Sequence, residues 1–256
     1  MANHQPRTAL VTGGARRIGQ AIAMDLAAHG WAVVVHHNAS AQDARETVSR
    51  IEEGGGRAVA LAADLRDEGQ AVDLVGRAAE ALGPLTCLVN NASAFENDTF
   101  ETVTHESWDL HMQVNLRTPF VLIQALVRQL PDDVPGNVVN LIDQRVWNLT
   151  PYFTSYTLSK AGLWTLTQTL ALALAPQVRV NAVGPGPTMP SARQSDEQFV
   201  RQWSSVPLSR RVMPREIADA VRFILDAPSM TGQMIALDGG QHLGWTQAAT
   251  RRAVEE

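Results

Sequence analysis

The chain has 256 residues, 45% hydrophobic and 18% charged, which suits one large α/β core and excludes a disordered polymer. A formal net charge of −5 argues against a nucleic-acid surface, and the N-terminal MANHQPRTAL lacks an apolar signal core. A lone cysteine, Cys87, excludes an internal disulfide, and seven scattered histidines show no metal-ligand spacing. The longest apolar segment, residues 163–175, is interrupted by Thr and Gln and is too short to span a bilayer. A soluble cytoplasmic protein is expected, with no metal, no nucleic acid and no membrane span.

Thr8–Val11 reads as a short buried strand running into Thr12-Gly13-Gly14-Ala15-Arg16-Arg17-Ile18-Gly19 and a helical pattern stopped by Gly30. A strand, a glycine-rich turn and a helix start leave free backbone N–H groups and a helix dipole facing one point, which predicts a phosphate cradle. Residues 31–35 form a second apolar strand, followed by His36-His37-Asn38-Ala39-Ser40 and a helix to about Glu53. A third strand, 58–63, is closed by Asp64. A helix over 67–82 leads to strand 86–89 and the turn Asn90-Asn91-Ala92-Ser93. One long helix is predicted over 104–130, with Asn115 in its interior. Residues 138–142 read as a buried strand closed by Asp143, and the next helix carries Tyr156 and Lys160. Strand 178–183, the Pro- and Gly-rich loop 184–190, a polar and mobile helical excursion over 191–211, helix 215–225 and strand 233–237 complete the pattern. The tail after Trp245 is weakly specified. Alternating strands and helices predict a single α/β domain with a parallel sheet covered on both faces.

Chemistry concentrates on residues 143–160. Tyr156 and Lys160 stand at i and i+4 and share a helix face. An adjacent ammonium stabilises phenolate and lowers a phenol pKa from its usual ~10, which predicts a proton donor and acceptor usable near neutral pH. Asp143 lies thirteen residues upstream at the carboxyl end of a strand, where open α/β sheets bind ligands.

The glycine turn at 12–19, Asp64, Asn90-Asn91-Ala92, Asn115, Tyr156 with Lys160, and Pro185-Gly186 occur in order on alternating elements. Together they resemble the short-chain dehydrogenase/reductase family from Thr8 to about Gly244. The resemblance implies a Rossmann-type doubly wound parallel sheet, a nicotinamide cofactor, hydride transfer, and a homodimer or homotetramer. It implies cofactor contacts from Gly13, Arg16, Arg17, Ile18 and Gly19, then from His36, His37, Asn38 and Ser40. Further contacts are implied from Asp64 (at the adenine), Leu65, Asn91, Ala92, Ser93, Tyr156, Lys160, Pro185, Gly186 and Thr188. Asn115 is implied to hold a water-linked relay to Lys160. Two departures stand out: Arg17 replaces the middle glycine of the turn, and Asp143 replaces the usual substrate-orienting Ser. The pteridine reductase branch shares both, and it also carries Asn-Asn-Ala-Ser followed by a Phe, matched here by residues 90–93 and Phe95. Its Pro-Gly-x-Ser segment reads Pro185-Gly186-Pro187-Thr188 in this chain.

No carboxylate follows the second strand to hold a ribose 2′-hydroxyl, whereas Arg17, His37 and Ser40 are placed to surround a 2′-phosphate, so NADPH is expected over NADH. An ionised Asp143 would repel the alkoxide formed from a ketone but suits a C=N bond flanked by N–H groups. The expected substrate is therefore a dihydropterin or a dihydrofolate-like pterin. Phe95 would stack on it, Arg17 would reach its edge, and Asp143 and Tyr156 would sit where a ring nitrogen gains its proton. Two alternatives stand beside it. A 3-oxoacyl-carrier-protein reductase would carry Ser at 143. A non-catalytic NADP-binding regulator would tend to lose Tyr156 or Lys160, and both are present.

Overall fold

The computed structural model describes residues 7–191 and 193–244; the C-terminal tail expected after Trp245 lies outside the described residues. Seven strands, β1 (Thr8–Val11), β2 (Ala32–His37), β3 (Arg57–Ala62), β4 (Cys87–Asn90), β5 (Gly136–Leu141), β6 (Val178–Pro185) and β7 (Met234–Leu237), form one parallel sheet. Their order is β3-β2-β1-β4-β5-β6-β7. The winding therefore reverses between β1 and β4, and a crevice opens at the carboxyl ends of the strands beside that point. Val11 pairs with both Val35 and Val89, and Val89 pairs with Val139. Thr12, His36, Asn90 and Asn140 thus lie side by side at or next to the carboxyl ends of the central strands. β1, β2 and β4 are buried throughout, as strands covered on both faces must be.

One face carries α1 (Arg17–Ala28), α2 (Ala41–Glu53) and α8 (Pro214–Asp226), through Ile22, Leu26, Ile51, Ile217, Val221 and Ile224. The other carries α3 (Glu68–Leu82), α5 (Thr118–Gln129) and α6 (Thr154–Ala173), through Leu74, Val75, Leu122, Leu126 and Ala171. The polar excursion contains α7 (Asp196–Ser204), started by a capping box between Ser195 and Gln198. No helix among the described residues is long and apolar enough to cross a membrane, and none of their His, Cys, Asp and Glu side chains gather as a metal-ligand group of three or more.

The single helix expected over 104–130 is two helices. α4 (His105–Met112) passes into a π-helical turn, Gln113–Arg117, before α5 begins. Pro119 supplies a physical reason: it lacks the N–H that an α-helix would direct at the Asn115 carbonyl. The widened turn places Asn115 at the site rather than in an uninterrupted helix, as such bulges often do.

His36 joins three of these elements. Its Nδ1 accepts the Gly13 N–H at 3.0 Å, so the remaining proton sits on Nε2 and is donated to the Ala63 carbonyl at 3.1 Å. The ring is 2% exposed, and burial pushes its pKa from 6.5 down to about 4. The unfolded chain binds this proton near 6.5 and the folded chain near 4, so the neutral clamp contributes fully above 6.5 and is lost as pH falls toward 4. That difference corresponds to about 3 kcal/mol at most. Urea unfolding should show a midpoint that drops between pH 7 and pH 4.5 in the native chain. In His36→Gln the midpoint should be lower at pH 7 and flatter over the same interval. An equally steep acid loss in the variant would show that another group carries it.

Candidate active site

The glycine turn is built around close approach. Gly13 has φ +62°, and a Cβ on Gly19 would lie 2.2 Å from the Gly13 carbonyl oxygen and 2.5 Å from Asn91 Nδ2. Asn91 ties this turn to the end of β4: its side-chain amide donates to the Thr12 carbonyl at 2.8 Å, and its N–H donates to Thr12 Oγ1 at 2.9 Å. A cleft beside the turn is lined by Gly13, Arg16, Arg17, Ile18, Gly19, His36, His37, Asn38, Ser40, Asp64, Leu65, Asn91, Ala92 and Ser93. A second cavity of about 610 Å³, within the range of small-molecule sites, holds Phe95, Asp143, Tyr156, Lys160, Pro185, Gly186 and Thr188. Arg17, Ile18, Asn91 and Ser93 line both and form their common wall.

Within this set several side chains already have protein partners. The His36 ring is spent on the clamp described above rather than turned toward a ligand. The Asp64 carboxylate is held by Arg66, with Nη2 at 2.6 Å, which keeps its pKa below the usual carboxylate range. Arg17 has φ +57°, the left-handed region that favours glycine, and its guanidinium donates to the Pro190 carbonyl at 2.8 Å and the Met189 carbonyl at 3.3 Å. It is directed at the loop over the second cavity and not at His37 and Ser40. Asn115, fully buried, accepts from Ser93 Oγ at 3.0 Å and the Ala94 N–H at 2.8 Å. It donates to the Ala94 carbonyl at 3.0 Å and to Ser159 Oγ at 3.1 Å. The Asn115 side chain holds the Ser93-Ala94 turn against α6.

β5 and the first turns of α6 bring Asp143, Tyr156 and Lys160 together. The Tyr156 hydroxyl donates to Asp143 Oδ2 at 3.1 Å, and Asp143 Oδ1 accepts the Arg145 N–H at 2.8 Å. Lys160 Nζ donates to the Leu141 carbonyl at 2.8 Å and lies 5.9 Å from the centroid of the Tyr156 ring. Asp143 keeps partial exposure at the cavity wall, but the protein packs closely around its carboxylate, and this desolvation raises its pKa against the opposing pull of Arg145. Tyr156 is pushed well above the usual phenol value, first by burial and then by the Asp143 charge and hydrogen bond. Burial lowers Lys160 to about 8, opposed by Asp143. The expected lowering of the Tyr156 pKa by Lys160 is thus overturned: burial and the adjacent carboxyl group outweigh a distant ammonium. A phenol held in its protonated form is a proton donor and a poor base.

Three contributors, Phe153, Arg145 and Arg193, escaped the sequence reading. Phe95 stacks face to face on Phe153, with centroids 4.6 Å apart and planes 4° apart, and meets Tyr156 edge-on at 4.7 Å. The Arg145 guanidinium covers Phe153 at 4.8 Å. Arg193, from the loop before α7, pairs with Glu96 and donates to the Phe95 carbonyl. The Phe95–Phe153 stack and the Arg193 contacts bridge segments far apart in sequence, and Arg145 and Phe153, though on one loop, follow no helix or strand period, so no local spacing announces them.

The family described as Enoyl-(Acyl carrier protein) reductase matches residues 13–242. The short-chain dehydrogenase/reductase FrzI of Cladobotryum sp is 33% identical over 248 residues, covering 91% of this chain and 95% of its own. The 3-oxoacyl-[acyl-carrier-protein] reductase of Synechocystis sp. is 30% identical over 239 residues, covering 91% and 96%. Among solved structures, FolM alternative dihydrofolate reductase 1 from Brucella canis, complexed with NADP, superposes with a TM-score of 0.91 at 51% identity. That match covers 93% of this chain and 95% of the other.

The turn geometry generates a direct test. No rotamer relieves a Cβ contact, so Gly19→Ala must displace the Gly13 carbonyl and the Asn91 amide together. The variant should melt several degrees lower and lose dinucleotide binding measured by fluorescence. Native affinity in Gly19→Ala would remove the turn from the binding site.

Proposed function

The chain belongs to the short-chain dehydrogenase/reductase family, and within it we propose that it reduces a dihydropterin, or the pterin ring of dihydrofolate, to the tetrahydro level with NADPH. The observation that carries this reading is the hydrogen bond from Tyr156 to a carboxyl group at 143, beside the ring of Phe95. The 51%-identical FolM structure, named as a dihydrofolate reductase and complexed with NADP, supports both substrate class and cofactor.

The residues present fit a nicotinamide dinucleotide. Gly19 leaves no room for a side chain under the turn, and no carboxylate closes β2 against a 2′-phosphate. Gly13, Ile18, Asp64, Leu65, Asn91 and Ala92 would hold its adenosine and pyrophosphate portions, with His37, Asn38 and Ser40 at the ribose. Ser93, Lys160, Pro185, Gly186 and Thr188 would hold the nicotinamide half. When bound, the cofactor supplies a hydride to the carbon of the substrate C=N bond. The protein's task is then the proton. Tyr156 stays protonated at neutral pH and donates to the ring nitrogen, while Asp143 beside it shares and replaces that proton from solvent. In this reading Phe95, backed by Phe153, lines the cavity wall against which the pterin stacks, an offset stack contributing about 1 kcal/mol beyond burial. A carbonyl reductase would form an alkoxide next to Asp143, which the carboxylate opposes.

With Arg17 committed to the loop carbonyls, Arg16 becomes the nearer candidate for a 2′-phosphate. It is exposed and only loosely paired with Asp43 at 3.7 Å. The reading also includes a homodimer or homotetramer and a cytoplasmic setting. An apolar depression lined by Met112, Leu116, Phe120 and Leu166 supports self-association.

NADPH oxidation should be followed with 7,8-dihydrobiopterin, dihydromonapterin and dihydrofolate beside a panel of ketones. Pterin turnover is expected, and Tyr156→Phe should lower it at least a hundredfold while leaving NADPH affinity within twofold. Asp143→Ser should lower pterin turnover sharply. Brisk ketone reduction without pterin turnover would replace this reading with the carbonyl reductase.

Cofactor choice is tested separately. Arg16→Ala should weaken NADPH about tenfold, or ~1.4 kcal/mol, and leave NADH unchanged. Arg17→Ala should chiefly raise the pterin KM. Equal affinity of the native enzyme for NADPH and NADH would contradict the assignment of the cleft.

A further inference from the structure

Beside the proton-donating pair lies a second polar cluster that the reaction scheme leaves unused. Asp98, His111 and Ser155 are 1%, 0% and 0% exposed. They come from the loop after β4, from α4 and from the first turn of α6. Their hydrogen bonds have one consistent direction. The Glu96 N–H donates to His111 Nε2 at 3.0 Å, so the imidazole proton sits on Nδ1. Nδ1–H donates to Ser155 Oγ at 2.7 Å, which leaves the Ser155 hydroxyl proton for the Asp98 carboxylate. The other Asp98 carboxylate oxygen accepts the Ser155 N–H at 3.1 Å.

The cluster also starts α6. The residue at the helix N-cap, Phe153, has φ +59° and offers no capping side chain. Asp98 fills the role from 57 residues away: its carboxylate takes the Ser155 N–H, and its carbonyl takes the Phe153 N–H at 2.7 Å and the Thr154 N–H at 3.3 Å. A carboxylate there also faces the positive end of the helix dipole. His111 lies edge-on to Tyr156, with ring centroids 5.9 Å apart.

One end of this chain of bonds is Glu96, next to Phe95, and the other is Asp98, whose carboxylate closes back on the Ser155 N–H, next to Tyr156. A buried polar triad is by itself weak support for stability, since apolar side chains of like volume fill such space as well. What apolar filling would not reproduce is a directional link between the loop and the helix. We propose that Asp98, Ser155 and His111 are positioning residues that fix the ring of Phe95 relative to the hydroxyl of Tyr156. The part assigned to Phe95 rests on the pterin reading; the placement of Tyr156 does not.

The experiment uses that difference. The chain has two tyrosines, and Tyr152 is exposed and outside the site, so in a Tyr152→Phe background the phenolate absorbance titration reports Tyr156 alone. In that background Ser155→Ala and His111→Phe should lower the Tyr156 titration midpoint, because a phenol released from its packing gains water. His111→Asn, whose amide presents one donor and one acceptor, should restore it. In parallel, Ser155→Ala and His111→Phe should lower kcat with dihydropterin about tenfold and raise KM severalfold, with NADPH affinity within twofold. His111→Asn should recover most of kcat. A lowered melting temperature with an unmoved Tyr156 titration, or a moved titration with unmoved kcat and KM, would overturn the proposal. If the native enzyme turns over no pterin, the pterin reading fails, and the titration alone decides the positioning role.

Discussion

A phenol donating to a carboxyl group at the wall of the substrate cavity is the contact on which the rest of the site depends. Neither group bears its charge easily there. Burial pushes both Asp143 and Tyr156 toward their neutral forms; the Asp143 charge and hydrogen bond raise the cost of ionising Tyr156 further, whereas the phenol's hydrogen bond eases ionisation of Asp143. The arrangement persists because its remaining polar atoms are satisfied. The Arg145 N–H takes the second carboxylate oxygen, and Lys160 anchors α6 to β5 through the Leu141 carbonyl. The pair therefore holds a proton ready in the direction of reduction. The same geometry with Ser at 143 would lack the second titratable group, and with it the means of replacing the proton beside the phenol.

Backbone strain falls in the same neighbourhood. Among the described residues, three non-glycine side chains have positive φ: Arg17, Phe153 and Ser209. Two of them line the substrate cavity. A left-handed conformation at such a residue costs on the order of 1 kcal/mol, so its presence needs a compensating contact. For Phe153 those contacts are the stack on Phe95, the Arg145 guanidinium and the N–H bond to Asp98. The residue that strains the start of α6 is thus also the plate behind the proposed substrate-stacking ring.

The fold was legible because its signals are local. Apolar runs of four to six residues, separated by glycine turns and amphipathic helices, required a parallel sheet, and the edge holding Thr12, Asn91 and Asp143 followed from the chain order. The break at Gln113–Arg117 was missed because an apolar helical pattern continues through it, and Pro119 alone does not distinguish a helix start from a kink. At the site, Tyr156, Lys160 and Asp143 could be grouped from spacing. The direction of the Tyr156 shift could not, because spacing counts the Lys160 charge but neither the burial nor the 3.1 Å contact to Asp143. The Asp98–Ser155 and His111–Ser155 bonds join residues 57 and 44 positions apart, and a pattern of local period carries no trace of them.

Arg17 shows how one substitution in a turn changes what two cavities can do together. A glycine there would adopt φ +57° without cost but could reach nothing. Arginine accepts the strain and extends to the Pro190 and Met189 carbonyls, across the wall shared by the cleft and the substrate cavity. Two hydrogen bonds from an exposed, solvent-screened guanidinium contribute about as much as the penalty of about 1 kcal/mol, so the strain is offset rather than exceeded. The loop before α7 is held a second time by Arg193, through Glu96 and the Phe95 carbonyl. The loop that closes the cavity is thus tied on one side to the glycine turn and on the other to the segment carrying the stacking ring. Arg17 thus lines the cleft and the substrate cavity at once and joins the glycine turn to the loop between them.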